Sequence, residues 1–397
     1  MRRDRAENRP AKGVLPIIGG VTFISVLGIA SVTPAFPEAA RALSVSAREI
    51  ALLISAFTLP GILFTPLTGI LADRIGRREI LVPSLLLFGL AGTGCAFVSD
   101  FRLLVLLRFL QGLGASSLSS LNMVLIGDLY RGPERERATG YNSSVISLGT
   151  ALFPVLGGAL ALLGWRWPFL LPLMAFPVAF AVRFRLEVPF ERKSETLGSY
   201  FRALGQGLRR REVLAILTAT TGTFIVLFGS VTAFLPFLLA DRFGASSFEI
   251  GLVFLSQSLA TALAASQSGT LARRFSPRSR LVLAFFLFSL ALFLYPQARS
   301  LPPVFLAAVA FGLGQGMNMP VLLSLLVSFA CPEYRGGLMA INTMALKLGQ
   351  TVAPLLTGWV LTRWGLESVF YASALTALAT LTATLIGFGR SSLSGRC

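Results

Sequence analysis

Apolar stretches of helical length recur along this chain from end to end, each closed by a short run of charge. They fall at Val14–Phe36, Ile50–Ala72, Ile80–Val98, Leu103–Ile126, Ala138–Leu163, Pro168–Val182, Val213–Leu239, Ile250–Ala272, Leu281–Tyr295, Pro302–Phe329, Leu338–Leu361 and Val369–Gly387. Most reach the ~20 residues that a helix needs to cross ~30 Å of hydrocarbon at ~1.5 Å per residue. The sixth and ninth are shorter. No segment alternates with period two over the ~10 residues that a barrel strand requires. The pattern predicts an all-α membrane protein of twelve transmembrane helices. Composition agrees, since only 13% of the 397 residues are charged and 54% are hydrophobic. A soluble surface needs more polar cover than that.

The net charge of +17 would suit a nucleic-acid binder if the charges formed one face. They do not. With an even number of spans, 26 of the 35 lysines and arginines fall on the side that carries both termini, against seven on the other side. Only Arg108 and Lys347 lie inside spans. Basic loops stay in the cytoplasm, so both termini are expected there, with the basic face touching anionic lipid. A bacterial inner (plasma) membrane is the expected location. The basic start, the apolar run from Val14 and the small residues at Ala39–Ala40 loosely resemble a cleavable signal peptide. That run is too long for one, and it reads as the first helix. Cys95 lies near the outer end of the third span, while Cys331 and Cys397 fall on the basic side, so no disulfide is expected.

An internal repeat organises the spans. Shifted by 200 residues, Glu49-Ile50 meets Glu249-Ile250, and Gly69, Leu71, Ala72, Arg74 and Arg78 meet Gly269, Leu271, Ala272, Arg274 and Arg278. Asn142, Leu148-Gly149, Pro154, Leu156 and Gly158 meet Asn342, Leu348-Gly349, Pro354, Leu356 and Gly358. Apolar residues coincide often by chance in such a chain. Glycines, a proline and charged residues at one fixed offset do not. A parallel repeat implies two six-helix bundles related by an axis along the membrane normal. The expected division is residues 1–184, a charged cytoplasmic linker at 185–212, and residues 213–397.

Three segments carry further patterns. The turn after the second span reads GILADRIGRR from Gly69 to Arg78. Gly69 would let two helices approach closely, and Gly76 would end a helix in a left-handed conformation. Arg74, Arg77 and Arg78 would hold the turn in the cytoplasm. A topological anchor explains those arginines but not Asp73 among them, since an acid there suits the positive N-terminal end of a neighbouring helix. The fourth span carries RFLQGLGASS from Arg108 to Ser117, and the fifth carries Gly140, Gly149, Pro154, Gly157 and Gly158. The glycines and proline of the fifth span would also serve ordinary small-residue packing. The segment GWRWPFL follows from Gly164 to Leu170.

With these motifs the chain resembles the major facilitator superfamily over essentially its whole length, and within it the twelve-helix drug:proton antiporter branch. Phe153 departs from the branch's fifth-span pattern by replacing a glycine. The resemblance implies a gate in which Asp73 meets the start of span eleven at Gly336-Gly337 and Arg77 pairs with Asp128. The second copy has Arg273 in place of Asp73, so the latch would be one-sided. The resemblance further implies a substrate site between spans one, four, seven and ten, where Gln111, Asn122, Gln315 and Asn318 would offer hydrogen bonds.

Periodicity adds to that site. Arg108, Gln111, Ala115, Ser119 and Asn122 share one face of span four. Arg108 would either face a cavity or snorkel to the outer surface. Thr343, Lys347 and Gln350 make a second stripe on span eleven, with Lys347 too deep to snorkel. Among 18 acids none lies at mid-membrane, and there is no histidine. No metal constellation, Walker loop or catalytic triad can be assembled, so neither an enzyme nor an ATP-driven pump is expected, and no cofactor. The expectation is a monomeric secondary transporter, exporting drug-like or metabolite compounds against protons. A proton-coupled importer of a small nutrient is the near alternative. A membrane sensor or scaffold is expected to need a signalling domain or long tail, which the nine residues after Phe388 are not expected to supply.

Overall fold

The computed structural model describes residues 13–186, 205, 208, 210–329 and 335–388. Most of the expected linker, together with Cys331 and Cys397, lies outside the described residues. Twelve helical segments make up the fold: α1 Val14–Leu43, α2 Ala47–Ile75, α3 Arg77–Phe97, α4 Phe101–Leu129, α5 Gly132–Ala161 and α6 Trp167–Arg185 form one bundle. The second comprises α7 Arg211–Phe243, α8 Ser247–Ser266, α9 Pro277–Gln297, α10 Leu301–Phe329, α11 Arg335–Trp364 and α12 Leu366–Phe388. Among the described residues there is no strand. Eleven of the twelve are both long and apolar enough to span a membrane. The exception is α11, which has the length, 30 residues, but whose Asn342, Lys347 and Gln350 lower its apolarity.

The two short spans find their missing length locally. In α6 the first eight residues, Trp167–Met174, wind as a 3-10 helix around Pro168 and Pro172. At ~2.0 Å per residue this winding covers more depth than an α-helix of equal length. α9 starts four residues earlier than its apolar core, at Pro277 under the Ser276 cap, and runs on to Gln297. The first helix of each bundle is irregular in its outer part. α1 breaks into a 3-10 turn at Thr33–Ala35 before Phe36–Leu43 continues, and α7 carries a π turn at Leu227–Thr232.

Glycines set the helix crossings, and they do so twice. Gly112 of α4 sits against the Phe57 carbonyl of α2, and Gly114 sits against the Ser84 carbonyl of α3. In the second bundle Gly312 of α10 meets the Gln257 carbonyl of α8, and Gly314 meets the Ala284 carbonyl of α9. Without a strong hydrophobic drive between helices in lipid, backbone-to-backbone approach at small residues supplies the packing energy. Each bundle also holds a buried polar knot joining its first, fourth and fifth helices. In the first, Asn122 Nδ2 donates to the Ile18 carbonyl and to Asn142 Oδ1, both at 3.1 Å, and to Thr22 Oγ1. In the second, Thr220 Oγ1 donates to Asn342 Oδ1 at 2.9 Å, and Asn318 Nδ2 donates to Thr223 Oγ1 at 2.7 Å.

Candidate functional site

The bundles meet along two seams, and each seam pairs the fifth helix of one bundle with the second helix of the other. On one side α5 packs against α8, and on the other α11 packs against α2. Gly158 abuts the Ser247 carbonyl, and a Cβ on Gly251 would stand 2.5 Å from the Pro154 carbonyl oxygen. Across the other seam Gly358 lies against the Arg48 side chain.

The α5–α8 seam exploits a proline. Pro154 cannot bond back to Thr150. The carbonyl that it frees accepts instead from Ser258 Oγ of α8, at 3.1 Å. Near the partner position Pro354, which frees the Gln350 carbonyl, Ser55 Oγ of α2 donates instead to the Thr351 carbonyl at 2.8 Å, and the Thr58 and Thr351 hydroxyls bond at 2.8 Å. A neighbouring hydroxyl is the usual remedy for a carbonyl freed in a membrane helix. At Thr150 the remedy ties one bundle to the other. Ser247 Oγ adds a bond to Glu38 Oε1 at 2.7 Å nearer the rim.

All of these contacts lie in the half of the molecule whose loops are poor in basic residues. The innermost lies at Lys347, 12 residues into α11, or about 18 Å from its basic end. Its Cγ, Cδ and Cε run across Gly61 of α2, where a Cβ would stand 3.1–3.4 Å from them, and its Nζ donates to Gln350 Oε1 at 3.2 Å. Further toward the basic rim α5 exposes Tyr141, Ser143, Ser144, Ile146 and Ser147, which point to several sides of the helix. The cross-bundle hydrogen bonds given above all lie outward of Lys347. α4 and α10 pack chiefly within their own bundles. The bundles are closed from the sparsely charged rim to mid-depth, and a crevice with Lys347 at its apex opens toward the basic rim.

At the basic rim Arg77, at the start of α3, forms an ion pair with Asp128 at the end of α4. The joint before Arg77 is the single residue Gly76, at φ 105° and ψ 145°. That is not the left-handed helical cap expected from the sequence but an extended conformation open essentially to glycine alone. It lets α3 start directly where α2 stops. Arg74 is exposed, and Arg78 is half-buried and bonds its neighbour Glu79. Gly69 and Asp73 lie on α2, but the Asp73 side chain and its expected contact at Gly336-Gly337 fall outside what is described, as does the Ser119 side chain.

The expected cavity residues divide. Arg108 neither snorkels nor faces the crevice: it is 0% exposed. Its Nη1 donates to the Gly28 carbonyl at 2.8 Å and to Gln111 Oε1 at 2.7 Å, its Nε donates to the Leu53 carbonyl at 3.4 Å, and its guanidinium lies 4.5 Å from the Phe57 ring centre. Gln111 is wedged against Gly92 of α3 and Pro172 of α6. Asn122 and Asn318 are taken up by the polar knots. These four side chains bond helices inside the bundles, correcting the expectation that they line the substrate path in this conformation. Gln315 and Thr343 are half-buried, and Gln315 Oε1 accepts from Gln257 Nε2 at 3.4 Å. Of the fifth-span motif, Gly149 and Gly157 face α1, Pro154 and Gly158 face α8, and Gly140 faces open space.

Sequence reasoning missed the seam donors Ser55, Thr58 and Ser258. A usable signal existed: Thr58 and Ser258 are hydroxyl residues 200 apart, facing prolines that are also 200 apart.

The family model of the Major Facilitator Superfamily matches residues 18–244 and 219–392. The chain belongs to the Major Facilitator Superfamily. It is 26% identical over 376 residues to the multi-drug resistance efflux pump PmrA of Streptococcus pneumoniae, covering 92% of this chain and 94% of that one. It is 32% identical over 159 residues to the bacillibactin exporter of Bacillus subtilis, a match that spans only 38% of this chain and 40% of the relative. Among solved structures, a bacterial homolog of the human lysosomal transporter Spinster, in an inward-facing and unoccupied conformation, superposes with a TM-score of 0.76. The identity is 18%, and 94% of each chain is covered. This superfamily member is a multi-pass membrane protein and a secondary transporter.

Proposed function

We propose that this transporter exports small drug-like or metabolite molecules across a bacterial inner membrane in exchange for protons. The two bundles rock about the crevice, alternately exposing it to each side. The observation that carries the reading is the α5–α8 seam. The fifth-span residues that resemble the antiporter pattern, Pro154 and Gly158, are those that meet the opposite bundle, at the Gly251 and Ser247 backbones. The full-length similarity to an efflux pump supports the same direction.

With both termini and the basic loops in the cytoplasm, the closed half faces out and the crevice faces in. This is the loading state of an exporter. The Arg77–Asp128 pair ties α3 to α4 at the cytoplasmic end of the first bundle. Protons entering the cycle have the Asp128 carboxylate as a carrier.

The test is direction. Everted membrane vesicles energised with an inward-acid gradient should accumulate substrate, and accumulation should collapse with a protonophore. Uptake by intact cells, rising with expression and stopped by the same protonophore, would mark an importer and end the export reading.

A further inference from the structure

Lys347 is the one basic side chain within the spans that borders the crevice, since Arg108 is fully enclosed. Its amine has three donors. Gln350 Oε1 accepts one, at 3.2 Å. None of the ion pairs among the described residues involves it: these are Arg77–Asp128, Arg78–Glu79 and Arg242–Glu367. The flanking helices hold no hidden counter-charge. α2 has no acid between Glu49 and Asp73, and α11 has none at all. An ammonium withdrawn from water and left without an anion is costly, and a bound anion removes that cost.

The surroundings favour an anion. Gly61 presents bare backbone to the lysine stem, so that the chain lies flat and its amine projects past α2. The face onto which the crevice opens carries 26 basic residues against 12 acids, an excess that raises the local concentration of anions.

We infer that the apex of the α2–α11 crevice is an anion subsite, in which the Lys347 ammonium receives the carboxylate or similar acidic group of an amphiphilic substrate. The inference rests on the export reading and names its substrate class: anionic amphiphiles first, neutral ones tolerated, lipophilic cations excluded. At the apex a cation would meet like charge, with no acid on α2 between Glu49 and Asp73 or anywhere on α11.

The experiment uses the full chain in everted vesicles energised as above. The probes are three xanthene compounds of similar size: carboxyfluorescein as the anion, a rhodamine spirolactam as the neutral member, and rhodamine 6G as the permanent cation. Each is quantified by mass after filtration. Wild type should accumulate carboxyfluorescein above rhodamine 6G. Lys347→Gln should lower carboxyfluorescein uptake about tenfold or more while sparing the neutral compound, because a hydrogen bond to a charged group is lost. Lys347→Arg should retain the anion.

Rhodamine 6G carried as fast as the anion, or carboxyfluorescein uptake unchanged in Lys347→Gln, overturns the inference. Equal loss of every probe in both variants assigns the lysine a structural role and overturns it too. Accumulation of no probe by wild type removes the export reading itself, and the inference with it.

Discussion

Replacing Gly251 by alanine tests whether the seams are contacts of one state rather than of the fold. The added Cβ would lie 2.5 Å from the Pro154 carbonyl oxygen and 3.0 Å from its carbon. A relaxed carbon–oxygen contact needs about 3.3 Å. The seam therefore has to widen by about 0.8 Å at this crossing, and a gap of that size forfeits about a quarter to a half of the dispersion energy of the atoms around it. Overpacking of this kind costs about 1–3 kcal/mol. Since α5 and α8 belong to different bundles, the cost falls only on the state in which they touch. The population then moves about 5- to 150-fold toward the state open at the sparsely charged rim.

Gly114→Ala is the matched control. Its Cβ would stand 2.6 Å from the Ser84 carbonyl, an equal clash within one bundle, present in every state. Spin labels at Ala42 and Ser300 would report the sparsely charged rim, and labels at Glu136 and Ser279 the basic rim, all four positions being exposed. In Gly251→Ala the first distance should lengthen and the second shorten. In Gly114→Ala only the melting temperature should fall. Unchanged distances in Gly251→Ala, with a melting temperature lowered as in the control, would refute the assignment of the seam to one conformation.

Three further outcomes are expected. A membrane-impermeant thiol reagent applied to intact cells should label neither Cys331 nor Cys397, and labelling of Cys397 from outside would invert the topology. Asp128→Ala should lose most transport at normal membrane abundance, and the exchange Arg77→Asp with Asp128→Arg should recover part of it; full activity in the single variant would reduce the pair to an anchor. Asn122→Leu should lower thermal stability by about 0.6–2 kcal/mol by undoing the knot with Thr22 and Asn142. It should leave the order of preferred substrates unchanged, and a changed order at wild-type stability would return Asn122 to the substrate path.

The bilayer made the fold legible from sequence. Its thickness fixes helix length, so apolar runs could be counted, and the fixed offset of glycines and proline exposed the two bundles. The depth of Lys347 followed from counting residues along α11. What periodicity could not give was the object that each polar face sees. Arg108, Gln111 and Asn122 do share one face of α4, but that face looks into its own bundle, where carbonyls of α1 and α2 and the ring of Phe57 absorb the arginine. Buried polar groups in a membrane protein need internal partners as much as a water-lined cavity needs polar walls. The two demands leave the same spacing in the sequence. The one-residue joint at Gly76 was invisible for another reason: glycine signals a positive φ without telling which of its conformations is used.

The seams also determine how the molecule switches. They hold few hydrogen bonds, and helices rest directly on one another at Gly158 and Gly251. Attraction of that kind fades within an ångström, so a seam parted slightly has lost much of what held it and little remains to pull it back. Two such seams, fixed to the same pair of rigid bundles, must let go together. Intermediate widths are the least stable arrangement, and closure is all-or-none. A leak through a half-open molecule is suppressed by packing alone, without any residue dedicated to preventing it.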